Sequence, residues 1–307
     1  MNIPLQKILV ICGQTASGKS ELALRLAREL DAEIVSADSM QVYRGLNIGT
    51  AKPTLQQRAE IPHHLIDMID PDQLFSAADF ADAADDAIRD VWSRGKRVIV
   101  AGGTGLYIRA LLKGLVDSPS GAGTIRAELQ QEAGRIGNEA MLERLRLVDP
   151  ELAAGLHPNN LVRIIRALEV QQLTGIPLSS HQREHAFAVR RYECMQIGIS
   201  IERSRLYRHI DERVDRMLTE GLMDEVRGLL SSGFSRELKS MHSIGYKEAV
   251  ACLSGELCLE EAVRLIKRDT RRYAKRQLTW FNADPDILWF EYPEKFGTLL
   301  KDVIDFF

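Results

Sequence analysis

Residues 13–20 read Gly-Gln-Thr-Ala-Ser-Gly-Lys-Ser and carry the clearest chemical signal in the chain. This spacing is typical of a phosphate-binding loop, in which backbone N–H groups and the N-terminus of the following helix surround a phosphate. In such a loop the lysine reaches the outer phosphates and the final hydroxyl binds Mg²⁺. The pattern therefore predicts a di- or triphosphate site formed by Gly13, Gln14, Thr15, Ala16, Ser17, Gly18, Lys19 and Ser20, with Ser20 as the metal ligand.

The segments on either side of this loop have the order that the motif requires. Residues 7–12 are an apolar run that predicts a strand, and residues 21–27 have the pattern of a helix. Asp38 ends a second short apolar run, residues 32–37. Because ligands bind at the carboxyl ends of parallel strands, we expect Asp38 beside the phosphate loop, where it binds Mg²⁺, accepts a proton or caps the next turn. The location favours a chemical role.

Two further stretches share this predicted edge. Residues 39–53 have neither a helical nor a strand period and contain several glycines, which is typical of a binding loop. Gly102–Gly105 follows the apolar run 97–101 and repeats the order strand, glycine turn, helix. The Thr104 hydroxyl can face the same anion there, although tight packing explains the glycines equally well.

The alternation of strands and helices predicts an α/β fold, a P-loop NTPase-like parallel sheet flanked by helices. Composition changes at residues 114–123, which predict a linker. Residues 124–174 are helical in pattern, with breaks at residues 149–150 and 157–159 and a stop at Gly175. We therefore predict a core formed by residues 1–116 and 192–307 and an inserted all-helical subdomain, residues 117–191. The five aspartates of the helix expected after Ser76 are interpreted as a solvated face: Asp79, Asp82, Asp85, Asp86 and Asp90.

The whole-chain totals limit the function classes. The net charge is only −3, and no run is apolar for long enough to span a bilayer. The four cysteines lack the spacing of a zinc site or a disulfide framework. These totals favour a cytoplasmic protein without membrane partners, and a monomer is the default expectation.

Basic residues nevertheless cluster along the second half of the chain. Arg163 and Arg166 lie three apart on one predicted helix, which suits either a phosphate or a surface ion pair. Arg213 is a candidate to stabilise an anionic leaving group. Residues 264–276 carry seven cations and one acid, with the aromatic Tyr273 among them and Trp280 and Phe281 just beyond. Basic residues interleaved with aromatic ones are typical of single-stranded RNA binding, while both aromatic residues also suit a core.

With these residues in view, the chain resembles the tRNA dimethylallyltransferases over nearly its whole length. The resemblance depends most on residues 38–43 with 47–53 and on residues 274–281, since any P-loop enzyme can have the first motif. Residues 102–107, 163–170 and 243–248 also fit the family pattern.

The resemblance implies transfer of the dimethylallyl group of dimethylallyl diphosphate to the adenine beside the anticodon, with the phosphate loop and Mg²⁺ holding the diphosphate. It implies that Asp38 is the general base and that Thr104 and Arg213 lie near the diphosphate. It also implies that the inserted subdomain and the basic C-terminal helix bind the anticodon stem-loop of tRNA. The implied tRNA-binding residues are Asp38, Ser39, Met40, Gln41, Arg163, Arg166, Lys275, Arg276, Gln277 and Trp280.

From the residues alone, two other functions stay open. A small-molecule kinase would use the same loop for ATP, with the basic helices as a phosphate lid. A nucleotide-switched RNA-binding regulator would bind without making a product, and an acid at the position of Asp38 disfavours it.

Overall fold

The computed structural model describes residues 5–115, 124–185 and 191–307. The chain divides into two compact units, residues 1–112 with 190–307, and residues 113–189. Most of the predicted linker, residues 116–123, lies outside the described residues. In the described ranges no helix is both long enough and apolar enough to cross a membrane.

The first unit is built on a six-stranded sheet in which every strand pair is parallel. The strands are β1 (Lys7–Cys12), β2 (Ala32–Ser36), β3 (His63–His64), β4 (Arg97–Gly102), β5 (Glu193–Ser200) and β6 (Ile287–Glu291), in the order β3-β2-β4-β1-β5-β6. The predicted α/β class and parallel sheet are confirmed. The edge strand β6 was not predicted, because its sequence is short and follows a turn without a clear period of two.

The helices, in chain order, are α1 (Lys19–Leu30), α2 (Leu55–Glu60), α3 (Ala77–Ser93), α4 (Gly105–Lys113), α5 (Thr124–Ile136), α6 (Asn138–Val148), α7 (Pro150–Ala154), α8 (Leu161–Thr174), α9 (Leu178–His185), α10 (Arg203–Thr219), α11 (Leu222–Ser231), α12 (Tyr246–Leu253), α13 (Leu259–Phe281) and α14 (Phe296–Phe306). Residues 39–53 form turns and no regular element, as the sequence predicted.

The alternation of side chains along β1 places hydrophobic cores on both faces of the sheet. Ile8 and Val10 join a buried cluster with residues of α3 and α4. Leu9 and Ile11 join a second cluster with residues of α1 and α14. A strand covered on both faces reads as a continuous apolar run, which is why β1 was recognisable in the sequence.

Helix α3 begins directly after Ser76, as predicted, but one of its aspartates is not solvated. The Ser76 hydroxyl accepts a hydrogen bond from the Asp79 N–H, and the Asp79 carboxylate accepts one from the Ser76 N–H. The interpretation of Asp85 as a solvated residue was wrong, because it is buried and accepts hydrogen bonds from Arg191 and the Tyr192 hydroxyl. A helical wheel cannot reveal a partner more than a hundred residues away in sequence.

A third core lies beside the carboxyl edge of the sheet. Val42, Tyr43 and Leu46 of the irregular segment pack with residues of α10, α11, α12 and α13. This packing gives the long segment after Asp38 a rigid support.

In the second unit, residues 113–189, the regular elements of the described residues are all helices, joined by short turns. Its core gathers apolar residues of α5, α6, α7 and α8. Gly137 separates α5 from α6, a break that the sequence prediction did not include, and Gly175 ends α8 as predicted.

Candidate active site

The phosphate loop, residues 13–20, connects β1 to α1 in the conformation that its glycines allow. Gly13 and Gly18 have φ angles of 135° and 100°, which L side chains rarely adopt. Gly18 is the N-cap of α1 and has no side chain to satisfy the first N–H groups of the helix. Those groups and the positive end of the helix dipole are therefore available to an anion.

Two hydroxyl groups in this loop suit a ligand that carries phosphate and a metal ion. The Ser17 hydroxyl is buried and has no hydrogen-bond partner among the described residues. Ser20 is exposed in the first turn of α1. Because Mg²⁺ beside phosphates takes few protein ligands, one serine hydroxyl together with diphosphate oxygens fits its preference.

Lys19, Asp38 and Arg213 form the charged centre beside the loop. Burial, followed by repulsion from the Arg213 guanidinium, lowers the pKa of Lys19 to about 8, and the Asp38 carboxylate opposes this shift. Burial also lowers the pKa of Arg213, again against the attraction of Asp38. The Lys19 ammonium donates a hydrogen bond to the Gln14 carbonyl. Two cations and one carboxylate leave a net positive charge, which favours binding of an anion.

Asp38 lies two residues beyond β2, in a turn held in a fixed orientation. Its Oδ1 accepts hydrogen bonds from the N–H groups of Met40 at 2.8 Å and Gln41 at 3.3 Å. The carboxylate thus caps the turn, and the cap also sets the direction of its second oxygen. Ser39 donates its N–H to the Thr104 hydroxyl at 3.0 Å, which joins the turn to the second glycine turn.

The second glycine turn packs so closely against its neighbours that a side chain would not fit there. A Cβ on Gly102 would lie 2.1 Å from the Ala37 carbonyl oxygen, and a Cβ on Gly103 would lie 2.3 Å from the Gln277 side chain. Tight packing therefore explains these glycines, as the alternative interpretation held. The same packing brings Thr104 to Ser39, directly after Asp38.

Gln277 of α13 connects both glycine turns. Its Oε1 accepts a hydrogen bond from the Thr15 N–H at 2.7 Å, and its Nε2 donates one to the Gly103 carbonyl at 2.9 Å. Gln14 adds a third link by donating to the Ala274 carbonyl at 3.2 Å. Gln277 is 5% exposed. Its described contacts thus hold the site together, while its predicted tRNA-binding role stays a prediction.

The two aromatic residues at the end of α13 have different surroundings. Phe281 is buried in the cluster that contains Ile8 and Val10, in agreement with the alternative prediction that it is a core residue. Trp280 is 39% exposed, with the Arg109 guanidinium 4.8 Å from the centre of its ring. A Cβ on Gly105 would lie 2.1 Å from the indole nitrogen of Trp280.

The seven cations of residues 264–276 fall into two groups, those that contact a carboxylate of the described ranges and those that do not. Five of them contact carboxylates: Arg264 with Glu261, Lys267 with Asp215, Arg268 and Arg272 with Asp269, and Arg271 with Asp211. Lys275 and Arg276 are exposed and have no carboxylate partner in the described part of the chain. Their charges are therefore the ones most available to a polyanion.

Arg163 and Arg166 belong to the second unit. Arg163 is exposed on α8. Arg166 contacts the buried Glu169 at 2.8 Å, and Arg126 contacts the same carboxylate at 2.6 Å. The ion-pair interpretation thus accounts for Arg166.

The sequence alone did not single out His209, and it indicated Tyr273 only as an aromatic residue among the cations of the basic helix; both lie near the charged centre. His209 of α10 lies with its Nδ1 3.4 Å from the carbonyl oxygen of Ala16, in the phosphate loop. Burial, then the Asp38 carboxylate, raises the pKa of Tyr273 to about 12. Tyr273 lies one helical turn before Gln277, a spacing that could have drawn attention to it.

Known proteins match this chain along nearly its whole length. Residues 41–284 match the family model described as IPP transferase. The chain is 66% identical over 303 residues to tRNA dimethylallyltransferase 1 of Pelobacter propionicus, covering 99% of this chain and 98% of that protein. The chain belongs to the tRNA dimethylallyltransferase family. A second family member, tRNA dimethylallyltransferase 2 of Geotalea uraniireducens, is 60% identical and covers 98% of this chain and 97% of its own length.

Solved structures of the tRNA dimethylallyltransferase family share the fold. The full-length tRNA isopentenylpyrophosphate transferase of Bacillus halodurans superposes with a TM-score of 0.71 at 40% identity, covering 98% of this chain and 96% of that one. A eukaryotic dimethylallyltransferase acting on tRNA gives a TM-score of 0.80 at 30% identity, with coverages of 95% and 76%. The resemblance found in the sequence is thereby confirmed.

Proposed function

We propose that this chain transfers the dimethylallyl group of dimethylallyl diphosphate to N6 of the adenosine at position 37 of tRNA, next to the anticodon, and releases diphosphate. The observation that carries the proposal is the convergence of Lys19, Arg213 and Asp38 beside the phosphate loop. Two cations suit a leaving diphosphate, and a carboxylate suits an amine that must lose a proton.

In the proposed reaction the bond between the allylic carbon and the diphosphate oxygen breaks, and a bond from that carbon to N6 forms. The exocyclic amine of adenine is a weak nucleophile because its lone pair is delocalised, so ionisation of the donor leads the step. Lys19, Arg213 and the N–H groups of the phosphate loop stabilise the charge that the diphosphate gains. Asp38 accepts the proton that leaves N6, and Thr104 orients the turn that carries it. No phosphate is transferred.

Mg²⁺ is the proposed cofactor, held by the Ser20 hydroxyl and the diphosphate oxygens, and it would offset further negative charge on the leaving group. The support is the exposed position of Ser20 in the first turn of α1.

The proposed tRNA surface has two parts, one in each unit. In the first unit it comprises the turn after Asp38 (Ser39, Met40 and Gln41), together with Lys275, Arg276, Gln277 and Trp280 on α13. In the second unit it comprises Arg163 and Arg166, with the helical subdomain binding the anticodon stem-loop. The target adenine must leave its stack, which costs a few kcal/mol that stacking and polar contacts offset. We expect the chain to act in the cytoplasm as a monomer.

The proposal is tested by incubating the purified protein with Mg²⁺, unmodified tRNA and dimethylallyl diphosphate without ATP, followed by mass analysis of the nucleosides. We expect one adenosine to gain the mass of a dimethylallyl group. Absence of that product, together with ATP consumption in a parallel reaction, would establish the kinase instead.

A further inference from the structure

Glu225, on α11, holds three successive backbone N–H groups of the segment that follows Asp38. Its Oε2 accepts hydrogen bonds from Asn47 at 3.0 Å and Ile48 at 2.8 Å, and its Oε1 accepts one from Gly49 at 3.3 Å. Consecutive N–H groups directed at one point form a concave anion site. Here the anion is a side chain contributed from more than 170 residues away in sequence.

Tyr246 of α12 completes this anchor. Its hydroxyl donates a hydrogen bond to Glu225 Oε1 at 2.6 Å, and burial followed by the Glu225 charge raises the pKa of the phenol. The ring is fully buried, and a Cβ on Gly49 would lie 2.3 Å from it. The anchor therefore fixes the backbone of residues 47–49 by both hydrogen bonding and shape.

Hydrogen bonds, joined by short lengths of covalent chain, connect the anchor to Asp38. The Gln41 side-chain amide donates to the carbonyls of Thr50 at 3.2 Å and Ala51 at 3.3 Å, just beyond the anchored residues. The same side chain accepts a hydrogen bond from the Ser36 hydroxyl at 2.9 Å, at the end of β2. The Gln41 N–H is in turn bound by the Asp38 carboxylate. Glu225 thus supports the turn that orients Asp38.

We infer that Glu225, with the Tyr246 hydroxyl, is a positioning residue that acts on prenyl transfer through Asp38. The inference rests on the proposed function, because it takes Asp38 as the proton acceptor. Its physical basis is that a catalytic group displaced by about 1 Å can lose on the order of 100-fold in rate. Neither residue belongs to the phosphate loop or to the exposed cations of α13.

The test compares Glu225→Gln, Tyr246→Phe and the matched control Asp224→Asn. The glutamine would retain an acceptor oxygen but lose the charge, and its amide hydrogens would face backbone N–H groups. The phenylalanine would keep the ring against Gly49 and lose only the hydroxyl. Asp224 is the exposed neighbour of Glu225 and pairs with Arg227 on the surface. We expect kcat to fall by about 10- to 100-fold for Glu225→Gln, less for Tyr246→Phe and not at all for the control.

A double-mutant cycle separates positioning from a merely structural role. If Glu225 acts through Asp38, adding Glu225→Gln to Asp38→Asn causes no further loss of kcat. If the two losses multiply, the inference is overturned. Tyr246→Phe in the same background gives a second cycle should Glu225→Gln fold poorly.

The rate of hydrogen exchange at the amides of residues 47–49 measures the hydrogen bonds to Glu225 independently of catalytic activity. We expect faster exchange there in Glu225→Gln and unchanged exchange in the control. Unchanged exchange in Glu225→Gln would overturn the anchor itself. A wild-type protein that exchanges slowly there yet makes no prenylated tRNA would instead contradict the proposed function.

Discussion

Asp38 is a cap in the structure and the base of the proposed reaction, two roles that the sequence had presented as alternatives. Its Oδ1 caps a turn through two backbone N–H groups, and this contact directs the rest of the carboxylate. A residue that is both cap and base has a fixed orientation before the substrate arrives, which lowers the entropic cost of reaction.

Replacement of Asp38 by asparagine tests the base without removing the cap. The asparagine would still accept the turn hydrogen bonds but would not take a proton. We expect kcat for prenyl transfer to fall by about 10²- to 10⁴-fold, the range for loss of a general base, while tRNA still binds. Asp31→Asn, at an exposed acid paired with Lys96, is the control. Wild-type rates in the Asp38 variant would rule out the general-base role.

We expect Lys19 to give donor binding a pH dependence with a defined sign. Its pKa of about 8 in the free protein means that it is charged below pH 8 and loses its charge above it. A diphosphate binds the charged form more tightly, so we expect affinity for diphosphate to be highest below pH 8 and to fall as the pH rises past it. Isothermal titration calorimetry with diphosphate, at a series of pH values, measures this affinity for the wild type and for Lys19→Arg. Protonation of the ligand affects both proteins equally, so the difference between the two profiles reports Lys19 alone. Parallel profiles in the two proteins would contradict the prediction.

The two faces of helix α13 have different surroundings. Ala274 and Gln277 contact the glycine turns, while Lys275 and Arg276 are exposed. The helix is therefore part of the site's scaffold and at the same time the proposed RNA surface.

Lys275 and Arg276, which have no carboxylate partner among the described residues, are expected to carry the electrostatic part of tRNA binding. Lys275→Gln with Arg276→Gln should weaken tRNA binding and flatten the dependence of log K on log[salt] by about 0.7–0.9 for each phosphate that is no longer neutralised. The matched control is Arg264→Gln with Arg268→Gln, two cations already paired with carboxylates. Binding titrations over a series of salt concentrations measure both variants. An unchanged slope in the Lys275/Arg276 variant would locate the RNA surface elsewhere, and an equal loss in the control would contradict a special role for these two cations.

Gln277→Glu distinguishes a scaffold role from an RNA contact. The glutamate would still accept the Thr15 N–H but would repel the Gly103 carbonyl that the amide now bonds. Because a broken buried hydrogen bond costs about 1–3 kcal/mol, we expect diphosphate affinity to fall by about 5- to 150-fold. Gln56→Glu, at an exposed position of α2, serves as control. A loss confined to tRNA affinity would instead support the RNA contact that the sequence predicted.

At the scale of the whole molecule, buried charges join elements across the first unit. Glu33 of β2 is 1% exposed, and its carboxylate contacts Arg94, beyond the end of α3, and His64 of β3. The Arg94 hydrogen bond, assisted by His64 and opposed by burial, lowers the pKa of Glu33.

This lowered pKa makes part of the stability depend on pH. The charged form of Glu33 is favoured in the folded state, so its contribution is present above the pKa of the unfolded chain and is lost as the pH falls through the folded pKa. We expect Glu33→Gln to lower the melting temperature at neutral pH and the difference from wild type to shrink in acid. Thermal melts of both proteins across this range test it, and a constant difference would show that the charge is not responsible.

The sequence by itself determined the features that depend on neighbouring residues. The phosphate loop, the strand before it and the helix after it are encoded within about twenty consecutive positions, since glycine placement and apolar runs set local geometry. The parallel sheet and the position of Asp38 at its carboxyl edge follow from the repeated order of strand and helix.

Only the tertiary structure decided which distant side chains meet. Gln277 contacts Thr15 across 262 residues of sequence, and Glu225 contacts Asn47 across 178. The same holds for the ion pairs of Lys267 with Asp215 and of Arg271 with Asp211, for the buried Asp85 and for the sixth strand. The type of a residue and its neighbours indicate which groups it can bind. The fold determines which of them it does bind, because burial and charge pairing depend on elements that come together only in the packed chain.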